Sequence, residues 1–481
     1  MKSLKMLVCV GTLLCGAFAG PGALADAGAI RREALYDKLD GGVALLVAAP
    51  ELFTAWRAHR YDPNYFPQEF KQEVAFYYLT GIEESGAALL IDGKARRSTL
   101  YFRQGTSGDR PPMAISGYAD VKPRSALVAD VESLADRKPT FYLLLGEGDV
   151  AIESGVIVAS QSPFPEGLGT PTDFQEDLRA ALKTRYPWMQ FRNLDPVLAL
   201  LRAVKDQNEI AVMKAAAQMT ARAMLENIRS MKPGVTEGEL DGVSRFVCRR
   251  EGAQRIPYSE DIQSGPNLLL SYWDFFGNYH KHDRRAQAGE MALIDTACEY
   301  NYYQSDMART VPVSGSFTPS QRASYLLYLQ GYKAALAAIR PGATQRDISL
   351  ALVNAIRDAR RSLKDEYLID AADDIISRYE SGVPLGHFVD MYVYGAGDAE
   401  RPLVPGQILT IEPAMVIKGL LSRIVVEDLI LVTARGHEIL TDSVPREPEE
   451  LRRLMKEDGV LTMFNKSRPA PVVTVGATVT Y

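Results

Sequence analysis

Four acidic residues sit inside otherwise apolar, strand-forming runs. Asp295 interrupts Met291-Ala-Leu-Ile-Asp295-Thr-Ala-Cys298, and Asp306 lies in the returning run from Tyr303 to Val313. Glu412 ends Gln407-Ile-Leu-Thr-Ile-Glu412, just before Pro413, and Glu427 lies in the run from Arg423 to Val432. A hairpin folded about residues 300 and 301 would set Asp295 opposite Asp306. One folded about residues 419 and 420 would set Glu412 opposite Glu427. Facing residues share one sheet face, and like charges placed there repel. Any one of these acids alone reads as a surface residue. Two matched pairs in apolar strands instead call for a counter-charge, which divalent cations supply. The chain has five histidines, His59, His280, His282, His387 and His437. His387 falls between the two acid hairpins, in Pro384-Leu-Gly-His387-Phe388. Carboxylate-rich sites with one imidazole suit Mn²⁺, Co²⁺ or Zn²⁺, and hard oxygen ligands favour manganese. Two such ions a few ångströms apart can share a bridging hydroxide, a strong nucleophile at neutral pH.

The elements that must position these residues occupy the second half of the chain. Pro233-Gly234 stops a long segment, Val197 to Ser230, that is rich in Ala, Leu, Met and Glu and free of Gly and Pro. That segment reads as one extended helix leading into the acid-bearing region. Thr318-Pro319-Ser320-Gln321 carries the residues of a capping box and predicts a helix to about Ile339, ended by Pro341-Gly342. A second helix follows over about 345–363. Before all this, the short apolar runs 43–48, 87–91, 99–103 and 140–145 have strand length and alternate with polar or helical stretches such as 126–137. Such alternation suggests a small α/β domain. The division expected is 26–195 for that domain, 196–456 for a second domain that alternates two-stranded patterns with helices, and 457–481 for a partly β-prone tail.

Length and composition agree with two folded domains. The chain has 481 residues, 47% hydrophobic and 24% charged, with a formal net charge of −6. No global basic field invites nucleic acid. Residues 1–25 read as a signal peptide: Lys2 and Lys5 start it, Met6 to Ala19 is apolar, and Ala23-Leu24-Ala25 resembles a cleavage site. Export to the periplasm or medium, with Asp26 as the new N-terminus, is therefore expected, and no later run is suited to span a membrane. Cys9 and Cys15 would leave with the signal. Cys248 and Cys298 remain, give no framework pattern, and read as buried small hydrophobes.

The acid and histidine segments resemble the pita-bread metallopeptidases, especially aminopeptidase P and prolidase. Leu293-Ile-Asp295-Thr-Ala-Cys-Glu-Tyr300, Ser305-Asp306-Met-Ala-Arg309-Thr-Val-Pro-Val-Ser-Gly315, Gly386-His387, Leu409-Thr-Ile-Glu412-Pro413 and Val426-Glu427-Asp428 are similar to that family's metal motifs, in the same order. Phe70-Lys-Gln-Glu-Val-Ala-Phe76-Tyr-Tyr-Leu79-Thr-Gly81 is similar to a segment of its N-terminal domain. The resemblance covers about residues 30 to 455.

It implies a creatinase-like α/β N-terminal domain followed by an α+β pita-bread catalytic domain. It also implies two divalent ions, with Asp306 and Glu427 bridging, Asp295 on one ion, and His387 with Glu412 on the other. Glu412 would take the proton from the attacking water. The implied activity is removal of an N-terminal residue from a peptide substrate before proline, by a homo-oligomeric enzyme. The chain departs from the family pattern where Tyr394 and Val383 replace two histidines, while Asn278, His280 and His282 compete for a third. Tyr394 and His280 are the candidate partners of Glu412 in handling protons, although a phenol cannot match an imidazole near pH 7. A prolidase-like dipeptidase fits the same ligands. A non-catalytic binding module or a metal-free creatinase-like enzyme fits them less well, since neither needs opposed acids.

Overall fold

The computed structural model describes residues 21–49, 70–102, 120–145, 174–258, 261–270 and 282–467. They form two compact units, one holding the described residues up to 194 and the other those from 195 onward.

The first unit contains α1 (Pro21–Tyr36), β1 (Val43–Val47), α2 (Val74–Thr80), β2 (Ala88–Asp92), β3 (Arg97–Phe102) and β4 (Asp120–Pro123). After these come α3 (Leu127–Ala135), β5 (Thr140–Leu143), α4 (Phe174–Arg185) and β6 (Gln190–Asn193). The strands form one mixed sheet ordered β4-β3-β2-β1-β5-β6. The four apolar runs of the sequence are β1, β2, β3 and β5, which lie inside the sheet and are largely buried. The sequence gives no warning of β4 and β6. Both are edge strands with alternate residues half-exposed, so neither needs an apolar run.

The second unit opens with α5 (Asp195–Arg202) and α6 (Gln207–Ser230), so the single helix expected over 197–230 is two. Asp206 causes the break. Its carboxylate accepts the backbone N–H groups of Asn208 and Glu209, and Glu209 returns the bond to the Asp206 N–H, which completes a capping box. Next come α7 (Glu237–Glu251), β7 (Asp261–Ser264), β8 (Met291–Thr296), β9 (Glu299–Tyr300), β10 (Tyr303–Gln304) and β11 (Met307–Pro312). The helices α8 (Pro319–Ala338), α9 (Gln345–Arg360) and α10 (Glu366–Tyr379) pack in sequence on one another, α8 starting from the expected Thr318 capping box. The chain continues through β12 (Ile408–Ile411), β13 (Ala414–Ile417), β14 (Ser422–Val425), β15 (Asp428–Thr433), β16 (Gly436–Ile439), α11 (Pro448–Leu454) and α12 (Val460–Ser467). The described part of the β-prone tail is thus the helix α12, which packs on α6.

The second acid hairpin has the expected register. Ile411 pairs with Asp428 and Ala414 with Val425, so the same alignment sets Glu412 across from Glu427. The first differs by two residues: Ala308, not Asp306, is opposite Asp295. The turn lies at Asn301 and Tyr302, whose φ values of 47° and 70° make the two-residue primed turn that suits strand twist. Tyr302 tolerates this conformation with its ring buried beneath the Arg255 guanidinium. Because strand side chains alternate, a two-residue shift leaves both acids on one face, as diagonal neighbours.

The cysteines overturn a second expectation. Both are fully buried, as foreseen, but they are bonded to each other, with Cα atoms 5.6 Å apart. The packing of α7 beside the end of β8 brings them together, and the Cys298 N–H donates to the Thr220 hydroxyl of α6. The bridge closes a 50-residue separation. Chain entropy for a loop of that length corresponds to about 4 kcal/mol, at the upper end of the usual range. The Cys248→Ser/Cys298→Ser double variant should accordingly lose about 2–4 kcal/mol in denaturant unfolding, and unfolded wild-type protein should show no free thiol from either residue. Two titratable thiols in the denatured wild type would reject the bridge.

Candidate metal centre

Three local devices bring the acids and the histidine together. At the first hairpin, the diagonal acids are tied by a third group. The Tyr258 hydroxyl contacts Asp295 Oδ1 at 2.7 Å and Asp306 Oδ1 more closely still. A phenol carries one proton, so it can donate to only one carboxylate at a time. Where the hairpins meet, Arg309 of β11 bridges to Val426, and the Glu427 N–H donates to the Ala308 carbonyl at 2.9 Å. That contact carries Glu427 onto the Asp306 side. Third, the segment bearing His387 runs beside β12. The Thr410 N–H donates to the His387 carbonyl, the Glu412 N–H to the Leu385 carbonyl, and the His387 N–H to the Thr410 hydroxyl. Such an approach requires glycine at 386, where a Cβ would lie 2.5 Å from the Thr410 carbonyl oxygen.

The imidazole is oriented by its own chain. His387 Nδ1 lies 3.1 Å from the Phe388 carbonyl, to which it can only donate, so Nε2 is the nitrogen left facing the acids. Nε2 is 3.2 Å from Glu412 Oε1 and 3.5 Å from Asp306 Oδ2. Asp306, His387 and Glu427 each present a donor atom, all within 4.8 Å of one another. Glu427 is fully buried and neither of its carboxylate oxygens has a hydrogen-bond partner. A buried carboxylate left so is costly unless a cation takes it. The donor set therefore fits a divalent metal.

The remaining candidates sort as follows. The Tyr394 ring packs against the His387 imidazole, centroids 4.4 Å apart, so this residue borders the group. His282 does not: its carbonyl accepts from the Gly238 N–H, and its charged neighbours are Asp241 and Arg245 of α7. His437 Nδ1 meets the Ile339 carbonyl. His280 and His59 lie outside the described residues. Sequence reasoning missed Tyr258, Asp261, which pairs with Asp295 across β7 and β8, and Thr410, whose hydroxyl donates to Glu412 Oε1 at 3.0 Å. None carries a sequence signal separable from an ordinary strand or loop residue.

Comparison with known proteins agrees with this geometry. Residues 211–434 match metallopeptidase family M24, and residues 29–110 match the aminopeptidase P N-terminal domain. The Xaa-Pro aminopeptidase of Haemophilus influenzae is 31% identical, over 88% of this chain and 96% of its own length. The chain belongs to metallopeptidase family M24. The Xaa-Pro aminopeptidase of Escherichia coli is 27% identical, over 88% of this chain and 96% of its own. The solved structure of proline aminopeptidase P II from Yersinia pestis superposes with a TM-score of 0.69 at 26% identity, covering 90% of this chain and 99% of that one. The M24 fold of a creatinase-like N-terminal domain and a pita-bread catalytic domain is thus shared, and divalent ions go with the family.

In this M24 site the metal-free acids are strongly perturbed. Burial, then the charge of Asp306, lifts Asp295 and Glu427 well above the usual carboxylate range. Asp306 is pushed up to about 7 by burial, with His387 opposing and Glu412 adding to the rise. Burial alone would lower His387, yet the hydrogen bond and charge of Glu412 outweigh it and raise the imidazole to about 9. Each of these groups binds more protons in the folded metal-free protein than unfolded. Their contribution to stability is therefore lost as pH rises, through about 7 for Asp306 and about 9 for His387. A metal must displace those protons. Mn²⁺ added to metal-stripped protein near pH 7 should release protons, and its apparent affinity should rise between pH 6 and pH 9. Calorimetry in two buffers of different ionisation enthalpy would show this; a buffer-independent heat would contradict it.

Proposed function

We propose that the chain is a dinuclear Xaa-Pro aminopeptidase, with Asp295, Asp306, His387, Glu412 and Glu427 holding the two ions, manganese first and cobalt or zinc as alternatives. The observation that carries this reading is the buried Glu427, unpartnered and within reach of Asp306 and His387, in a chain whose relatives are Xaa-Pro aminopeptidases. Divalent ions bound there would activate water and polarise the scissile carbonyl.

The chain's own residues divide the rest of the work. Glu412 is 30% exposed, against 7% for Asp306, which supports assigning it to meet incoming water and take its proton. Its Oε1 is held by the Thr410 hydroxyl and by His387, which aims the carboxylate at the centre. Tyr258 fixes the spacing of Asp295 and Asp306. Tyr394, whose ring lies tilted against that of His387, is assigned to donate a proton or hydrogen bond to the substrate.

Export fits the same reading. Disulfides persist in oxidising compartments, and Cys248–Cys298 is buried in the second unit. Cleavage after Ala25 would fall within α1, but the part retained is anchored: Arg31 and Arg32 donate to the carbonyls of Tyr78 and Leu79. Sequencing the protein from its native host should find Asp26 first; an intact Met1 would reject processing. A homo-oligomer is proposed on family resemblance and is checked by light scattering.

The decisive assay uses mature protein, stripped and reloaded with Mn²⁺, Co²⁺ or Zn²⁺, on Xaa-Pro dipeptides and on longer Xaa-Pro peptides. Cleavage of dipeptides alone would make it a prolidase-like dipeptidase, and cleavage of neither would leave a metal-binding member without peptidase activity. Glu412→Gln should lower kcat by on the order of 10²- to 10⁴-fold. Tyr394→Phe should lower kcat by on the order of 10²-fold at unchanged metal content. Unchanged turnover in Tyr394→Phe would make that residue a packing partner of His387 only.

A further inference from the structure

Beside the centre lies a cluster that the proposed reaction does not use. Asp261 Oδ1, Gln263 Nε2 and Arg423 Nε are buried atoms, and none has a hydrogen-bond partner. Asp261 and Gln263 are alternate residues of β7, so they share a sheet face. Asp261 is the direct cross-strand partner of Asp295. Arg423 arrives from β14, at the far end of the second acid hairpin. Its Nη2 donates to Gln263 Oε1 at 2.9 Å and stands 3.6 Å from Asp261 Oδ2.

The pair is unusual in being charged, buried and loosely joined. Asp261 and Arg423 have side chains only 7% and 17% exposed. At 3.6 Å their attraction is coulombic rather than a full hydrogen bond. Directly opposed residues of antiparallel strands hold their Cβ atoms about 4.5–5.5 Å apart. The Asp261 charge is therefore felt at Asp295, with little solvent to screen it.

We propose that Asp261 and Arg423 are a charge-compensating pair that sets how tightly the Asp295 side of the centre holds its divalent ion. This rests on the dinuclear reading above. With two divalent ions and neutral His387, the carboxylates of Asp261, Asp295, Asp306, Glu412 and Glu427 and the Arg423 guanidinium sum to zero charge. Removing either member of the pair leaves one unit of charge beside Asp295, negative in one case and positive in the other. Asp261 and Arg423 are positioning residues here, acting through Asp295 rather than on substrate.

The two single substitutions should consequently shift metal affinity in opposite directions, which a merely structural ion pair would not produce. The full chain, metal-stripped, is titrated with Mn²⁺ alone by calorimetry, and folding of each variant is checked by thermal unfolding. Asp261→Asn should weaken Mn²⁺ binding by about 10- to 100-fold, the range found when groups around metal ligands are altered. Arg423→Gln should tighten it. The double variant Asp261→Asn/Arg423→Gln should return close to the wild type, and Arg423→Lys, which keeps the charge but loses the guanidinium fork, should stay close to it. Should either single variant fail to fold, the double variant and Arg423→Lys still decide the matter. Single variants that shift affinity the same way, or a double variant weaker than both, would overturn the pair. Wild-type protein that takes up no Mn²⁺ would instead overturn the dinuclear reading itself.

Discussion

Carboxylates buried within reach of one another cannot all remain ionised without positive charge among them. Desolvation penalises each anion, and the anions penalise one another in a medium that screens poorly. Asp295, Asp306 and Glu427 are in this position, and all three are driven toward the protonated form in the metal-free protein. The second unit can be understood as a frame that tolerates this penalty until cations arrive. Its apolar strands and the α8–α10 layer supply rigidity, and its backbone hydrogen bonds fix donors that would otherwise move apart.

How the frame divides positive charge is instructive. Asp428, next in sequence to Glu427, is equally buried but fully answered: Arg309 and Arg446 donate to it, and so does the Tyr332 hydroxyl. Despite its burial, its carboxyl is held below the ordinary range by those arginines. Arg309 also donates to the carbonyls of Ala308, Glu427 and Val444, locking the junction of the two hairpins. Glu427, on the opposite face, has no such partner. Alternation along the extended chain where β14 passes into β15 thus separates a structural anion from one kept available.

Much of this was legible in the residues. Acids embedded in apolar strands disclosed the hairpins, and turn chemistry gave the second register correctly. The first register was misjudged because the primed turn uses Tyr302, a residue type seldom found at positive φ, in place of the more usual glycine. The α5–α6 break was written in Asp206-x-x-Glu209, but helix-forming composition on both sides masked it. Edge strands β4 and β6 carry no apolar pattern because they bury little. Tyr258, Asp261 and the Cys248–Cys298 bridge depend on approaches between segments distant in sequence, and no local pattern encodes those. Asp295, Asp306, Glu412 and Glu427 stood out because each is an acid within an apolar run, and His387 came forward through its resemblance to a family motif.

The tie between turn and register at the first hairpin also limits how this segment can diverge. Sliding the strand pairing by two residues keeps Asp295 and Asp306 on the same face. A single-residue insertion or deletion between them that shifted the pairing by one would turn one acid toward the opposite face of the sheet, away from the other acids. Length variation in the 297–305 segment should therefore occur in steps of two, or be absorbed as a bulge that restores parity. The distance in sequence between these two aspartates is in that sense restricted to even steps, by the pleat rather than by the chemistry.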